Sequence, residues 1–179
     1  MEVGNSESMR ILFTGGGSGG HFFPIIAVVR ELRRIAEEDQ ILDLEFFYMG
    51  PDWFGADLLE AEDVIPLKVG TGKWRRYASI RNIFDMIHAA FGILHALVRM
   101  FFIMPDVMFS KGGYGALPAV VASAIFGIPL IIHESDSVPG KVNLWAARFA
   151  ARIGIAFTSA QQFFPKEKTA VIGVPIRKR

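Results

Sequence analysis

The chain has no cysteine. That excludes disulfides, a thiolate metal site and a cysteine nucleophile, and it is compatible with a reducing compartment. An excess of charge is also missing. Nineteen Lys and Arg stand against eighteen Asp and Glu, a net charge of +1. Bulk nucleic-acid binding wants a strongly basic face, so no nucleic-acid partner is expected. Residues 1–8 contain no Lys, Arg or apolar core and read as a loose polar tail rather than a signal peptide. There is no internal repeat, low-complexity tract or interior linker. The 179 residues, 51% hydrophobic, are enough to bury one core, and a single domain over 9–177 is expected.

What is abundant is apolar sequence, so a membrane span has to be weighed. Ile83 to Met104 is long enough but carries Asp85, His88, His95 and Arg99. Gly112 to Ile132 is uncharged past Lys111 but is broken by Pro118 and by Gly127-Ile128-Pro129. The first reads as a helix of a folded domain and the second as a helix, a stop and a new strand, rather than as spans.

Apolar runs alternate with helical patterns along the chain. Strands are expected at Ile11–Thr14, Leu44–Met49, Val64–Val69, Asp106–Ser110, Leu130–His133, Arg152–Ala156 and Ala170–Ile172. Helices are expected at Pro24–Glu38, Ala56–Ala61, Ile80–Ile103, Gly113–Phe126 and Val142–Ala150. Such alternation implies βαβ units and an α/β fold with a doubly wound parallel sheet. In the order 3-2-1-4-5-6, strands one and four meet at the switch point, and ligands bind outside the carboxyl ends of the strands there.

Three polar clusters fall on that edge. Strand one runs into Gly15-Gly16-Gly17-Ser18-Gly19-Gly20-His21, five glycines and a serine before the histidine. A strand, a glycine turn and a helix present backbone N–H groups and a positive helix end to a phosphate or pyrophosphate. Strand four runs into Lys111-Gly112-Gly113-Tyr114, a second glycine loop opening a helix. Strand five ends in His133-Glu134-Ser135-Asp136. His21 and Glu134 are the acid–base candidates. His21 equally suits a helix cap or an anion contact, and Glu134 equally suits a tie within its loop. The first loop also fits Gly15-x-Gly17-x-x-Gly20. A nicotinamide-binding oxidoreductase would need an acidic residue closing strand two, and Met49-Gly50 stands there instead.

The long helix places Asp85, His88, His95 and Arg99, with Gly92 between, in one narrow stripe. His88 and His95 lie roughly 10 Å apart along the axis, too far to share a metal, and no metal site is expected. The remaining apolar arc is wider than one sheet face needs. Ahead of it come Lys73, Trp74, Arg75, Arg76, Tyr77 and Arg81. Basic and aromatic residues beside an apolar helix bearing Phe84 and Phe91 suit an anionic membrane surface. A solvated basic loop over a core helix is the alternative.

Gly-Gly-x-Gly-Gly-His-x-x-Pro over Gly16 to Pro24, Lys-Gly-Gly-Tyr over Lys111 to Tyr114, Gly-Ile-Pro, His-Glu, and Gly-x-Pro-x-Arg over Gly173 to Arg177 occur in this order. From Met9 to Arg177 the pattern resembles the N-terminal half of the MurG family, glycosyltransferase family 28. The resemblance implies the Rossmann-like N-terminal acceptor domain of a two-domain GT-B enzyme. That enzyme moves N-acetylglucosamine from UDP-N-acetylglucosamine to undecaprenyl-pyrophosphoryl-N-acetylmuramyl-pentapeptide, with inversion, no covalent intermediate and no cofactor. It implies that Gly16, Gly17, Ser18, Gly19, Gly20, Lys111, Gly112, Gly113 and Tyr114 face the polyprenyl-linked pyrophosphate. By the same resemblance His21 and Glu134 are catalytic candidates, and Ser135, Asp136 and Asn143 support the acceptor site. Peripheral docking on the cytoplasmic face of the plasma membrane is implied too. The chain departs from the family in having Ser135-Asp136 where Gln-Asn is common after His-Glu, and Val174 where asparagine is common before the proline. The donor-binding domain lies outside these residues, on a longer polypeptide or on a separate subunit. A chain of this kind alone is expected to be inactive. A membrane-recruiting subunit of a split transferase is the second reading.

Overall fold

The computed structural model describes residues 8–16, 18–39, 43–51, 55–71 and 80–175, and the side chains of 80–87 are not described. Gly17 and Lys73, Trp74, Arg75, Arg76 and Tyr77 therefore lie outside the described residues, as does Arg177. Arg81 and Phe84 are placed only as positions on a helix.

Seven parallel strands form one sheet: β1 (Met9–Thr14), β2 (Leu44–Gly50), β3 (Val64–Lys68), β4 (Val107–Ser110), β5 (Leu130–Glu134), β6 (Arg152–Ile155) and β7 (Thr169–Val171). Their order is β3-β2-β1-β4-β5-β6-β7, so β1 and β4 meet at the switch point as the alternation of elements predicts. The helices are α1 (Gly19–Glu38), α2 (Ala56–Ala61), α3 (Ile80–Ile103), α4 (Leu117–Phe126) and α5 (Lys141–Ala146).

Alternation along the strands sorts the core into two layers. Ile11, Phe13, Phe46 and Tyr48 pack under α1 and α2, with Phe22, Ile25, Val29 and Leu59. Leu12, Phe47, Met49, Met108, Leu130 and Ile132 face the other way. They pack with Ala96 and Met100 of α3, Ala119 and Val120 of α4, and Ala146 of α5. Pro66 sits inside β3, which forms one edge of the sheet, where a strand tolerates a residue without an N–H.

Four elements differ from the sequence expectation, one of them α5, which ends at Ala146 rather than Ala150. α1 begins at Gly19, five residues before Pro24. His21 and Phe22 donate their N–H groups to the Ser18 carbonyl and start the helix there, so Pro24 lies buried within the helix and not at its first position. His21 thus belongs to the first turn of α1. The second glycine loop opens a single 3-10 turn, Tyr114–Ala116, and α4 proper starts only at Leu117 with a proline in its first turn. Last, Gly92 is buried and does not share the exposed side of its helix with His95 and Arg99. A methyl group at Gly92 would collide with the Gly70 carbonyl, so the glycine lets α3 lie against the loop after β3. Among the described residues no helix is long and apolar enough to cross a membrane.

Candidate functional site

Two glycine loops, from β1 and β4, meet over the carboxyl edge of the sheet. The Lys111 N–H donates to the Thr14 carbonyl at 2.9 Å, which fastens one loop to the other. Gly113, with φ of 82°, then brings its backbone against Gly16. A methyl group at Gly113 would lie 2.9 Å from the Gly16 Cα, and one at Gly16 would lie 2.9 Å from the His21 Cδ2. Only residues without a Cβ allow this approach, and both loops supply one. The N-cap Ser18 makes no side-chain capping bond. The first-turn N–H groups at Gly19 and Gly20 lie at the positive end of a 20-residue helix, where negative charge is favoured.

His21 stands where the loops touch. Its Nδ1 lies 3.2 Å from the Lys111 carbonyl oxygen. A carbonyl only accepts, so Nδ1 carries the hydrogen, and Nε2 has no hydrogen-bond partner among the described residues. The Nε2 lies 3.3 Å from where a Gly113 methyl would be, on the side where the two loops meet. Tyr114, next along, is 40% exposed.

Lys111 turns inward. It is only 2% exposed, and its Nζ lies 2.8 Å from His133 Nδ1 and also donates to Ser135 Oγ. Burial lowers its pKa to about 8, although the carboxylates of Glu134 and Asp136 pull the other way. His133 is fully buried and stacks on Phe109. Its Nε2–H donates to the Gly173 carbonyl at 2.8 Å, leaving Nδ1 to accept from Lys111. Burial, and then the Lys111 charge, push its pKa below the ordinary histidine range.

Glu134 is 5% exposed and both its oxygens are occupied. Oε1 accepts the Asp136 N–H, and Oε2 accepts the Gly140 N–H and Asn143 Nδ2. The carboxylate thereby staples the loop 135–140 to α5, the tie that was its alternative role. Asn143 is buried, and a methyl group at Gly112 would strike its amide at 2.5 Å. Its Oδ1 has no partner among the described residues. Asp136 is exposed at the loop surface.

The sequence reading brought the three loops to one edge, and they are there. It did not find the bond between Lys111 and His133 or the reach of His133 to Gly173. The one local signal was a histidine near the end of a buried strand beside a strand that runs straight into a lysine.

Away from the crevice, α3 shows solvent an apolar strip of Phe91, Leu94, Val98, Phe101 and Phe102, with Phe91 67% and Phe102 76% exposed. His88, His95 and Arg99 border it on one side, and Arg99 Nε donates to His95 Nε2.

Comparison with known proteins agrees with this architecture. Residues 11–155 match the glycosyltransferase family 28 N-terminal domain. The chain is 37% identical over 170 residues to a UDP-N-acetylglucosamine–N-acetylmuramyl-(pentapeptide) pyrophosphoryl-undecaprenol N-acetylglucosamine transferase of Bacillus thuringiensis, covering 94% of this chain and 46% of that protein. It is 34% identical to the Treponema pallidum transferase of the same name, covering 98% of this chain and 45% of that one. The chain therefore spans about half the length of the curated relatives it matches. Its fold matches the crystal structure of Acinetobacter baumannii MurG with a TM-score of 0.71 at 23% identity, over 96% of this chain and 46% of that one. By the match over its sheet, its helices and both glycine loops, the chain belongs to glycosyltransferase family 28 and carries that family's N-terminal domain.

Proposed function

We propose that this chain is the acceptor-binding half of a glycosyltransferase acting on undecaprenyl-pyrophosphoryl-N-acetylmuramyl-pentapeptide, with UDP-N-acetylglucosamine as donor. The observation that carries the reading is the position of His21. Its Nε2 has no hydrogen-bond partner among the described residues, its Nδ1 is tied to the Lys111 carbonyl, and it sits where two glycine loops touch.

The pyrophosphate lies against the first turn of α1 and the Gly112-Gly113 backbone, where N–H groups and the helix end favour negative charge. His21 Nε2 takes the proton from the acceptor's sugar hydroxyl. As it does, that oxygen bonds to C1 of the donor sugar, and the bond from C1 to the UDP oxygen breaks. UDP leaves with the electron pair, and inversion at C1 follows from a single displacement. Lys111 acts from behind the loop, setting its shape and adding positive potential rather than touching the phosphate. Glu134, Ser135 and Asn143 keep the neighbouring loop in place. The donor is held by a domain or subunit beyond these residues.

The α3 strip from Phe91 to Phe102, bordered by His95 and Arg99, suits peripheral docking on the cytoplasmic face of an anionic membrane. It is also the observation that favours a second reading, a membrane-recruiting subunit of a split transferase.

Paired calorimetric titrations test the proposal. A soluble short-chain analogue of the lipid acceptor binds, UDP-N-acetylglucosamine does not, and His21→Ala loses the acceptor signal. Donor binding without acceptor binding would assign these loops to the wrong half of the reaction. Acceptor binding that His21→Ala leaves intact, with vesicle binding retained, would favour the recruiting subunit.

A further inference from the structure

His133 belongs to no step above, yet both its ring nitrogens are hydrogen-bonded. It is fully buried on β5, on the sheet face opposite Leu130 and Ile132. Its two nitrogens point to two distant parts of the chain. Nδ1 accepts from Lys111 at the end of β4, and Nε2–H donates to the Gly173 carbonyl, 40 residues away. Gly154 opens the path between. It pairs with His133 across β5 and β6. A methyl group there would collide with Ile172 and lie 3.3 Å from the His133 ring. Gly173 has φ of 76°, which turns its carbonyl toward the histidine. The Ile172 N–H donates to Ile155 at 2.9 Å and fixes the segment just before.

The choice of partners is costly. A histidine that only filled the core would be served by any neutral donor. Here the donor is a buried ammonium, whose burial works against its own charge. Lys111 is also the residue whose backbone carbonyl receives His21 Nδ1–H. One continuous chain of hydrogen bonds and covalent bonds thus runs from Gly173 through His133 and Lys111 to His21.

We infer that His133 is a positioning residue: it clasps the segment after β7 to the Lys111 loop, and through Lys111 it holds the His21 imidazole in its crevice orientation. The inference rests on the reading of His21 as the proton acceptor. It makes the orientation of that group depend on a segment that lies beyond the last strand of the sheet.

The test uses the 15N-labelled 179-residue chain without ligand, so its outcome is independent of the acceptor titration. Imidazole nitrogen shifts report the His21 tautomer, assigned by comparison with His21→Gln. Amide exchange at Ile172 reports the clasp. In the wild type His21 is held with its hydrogen on Nδ1. His133→Phe keeps a ring against Phe109 and removes both polar bonds. It shifts His21 toward the tautomer mixture of free imidazole and speeds Ile172 exchange roughly tenfold. His133→Gln, which retains an amide donor and acceptor, moves both signals back toward wild type. Lys111→Met breaks the link from its other end: the His21 signal moves while Ile172 stays protected. An unchanged His21 tautomer in folded His133→Phe overturns the inference, whatever happens at Ile172 or in Lys111→Met. If His133→Phe does not fold, His133→Leu takes its place and decides it on the same signal.

Discussion

A lysine buried to 2% exposure without a directly bonded carboxylate makes stability depend on pH in a definite direction. Its folded pKa is about 8 against an ordinary 10.5. Between those values the unfolded chain binds the proton and the folded chain does not, so stability rises with pH. From pH 7 to 10 the gain is about 2–3 kcal/mol. Denaturant melts of the wild type should show it, and Lys111→Met should not. The window closes near pH 10, because Tyr48, pushed up to about 12 by burial, then works the other way. His133 acts in a lower window with the same sign. Its pKa is depressed, so stability is full above about 6.5 and falls as pH drops below it. The glycines of the crevice give a second prediction. Gly113→Ala combines a positive φ with a 2.9 Å approach to the Gly16 backbone and should cost about 2–3 kcal/mol in a thermal melt. At this scale the sequence was half legible. Glycine counts announce a close backbone approach, because no other residue permits one. The direction of Lys111 is decided by His133 on the adjacent strand, and no local pattern carries that.

Helix α3 shows how an element divides its faces. Gly92, Ala96 and Met100 form the buried seam, and Phe91, Leu94, Val98, Phe101 and Phe102 face outward. Small residues bring α3 close to α4 and to the Gly70 loop. Gly92→Ala forces a collision with the Gly70 carbonyl and should cost about 3 kcal/mol, measured by denaturant unfolding. The outward strip gives an independent prediction. Sedimentation with anionic vesicles should fall for Phe91→Ser/Phe102→Ser, and should weaken as salt rises, since the basic border is screened. Equal sedimentation of variant and wild type would remove α3 from the docking face. The bounds of α3 were readable because Pro105 follows it and its apolar period is unbroken. The start of α1 was not, because Pro24 reads as a first-turn residue. The Ser18 carbonyl and the buried contacts of Phe22 nevertheless carry the helix through five earlier positions. Thr158–Phe163 and Lys166–Lys168 form 3-10 turns that no periodic pattern announces, since three residues per turn leave too short a repeat.

At the scale of the molecule, topology was the most legible feature, because short apolar strands alternating with helices leave few right-handed arrangements. The chain is about half the length of its relatives, and the purified 179 residues are expected to bind acceptor without turning it over. Measured transfer from UDP-N-acetylglucosamine by this chain alone would contradict that. The rims of the sheet carry a last consequence. An all-parallel sheet ends in two strands with unpaired backbone groups, each a template on which a second molecule can add. One rim, β3, contains Pro66, which removes a donor from the row. The other, β7, is three residues long, too short to hold an incoming strand. Neither rim of the folded domain is therefore a good template for strand-by-strand growth.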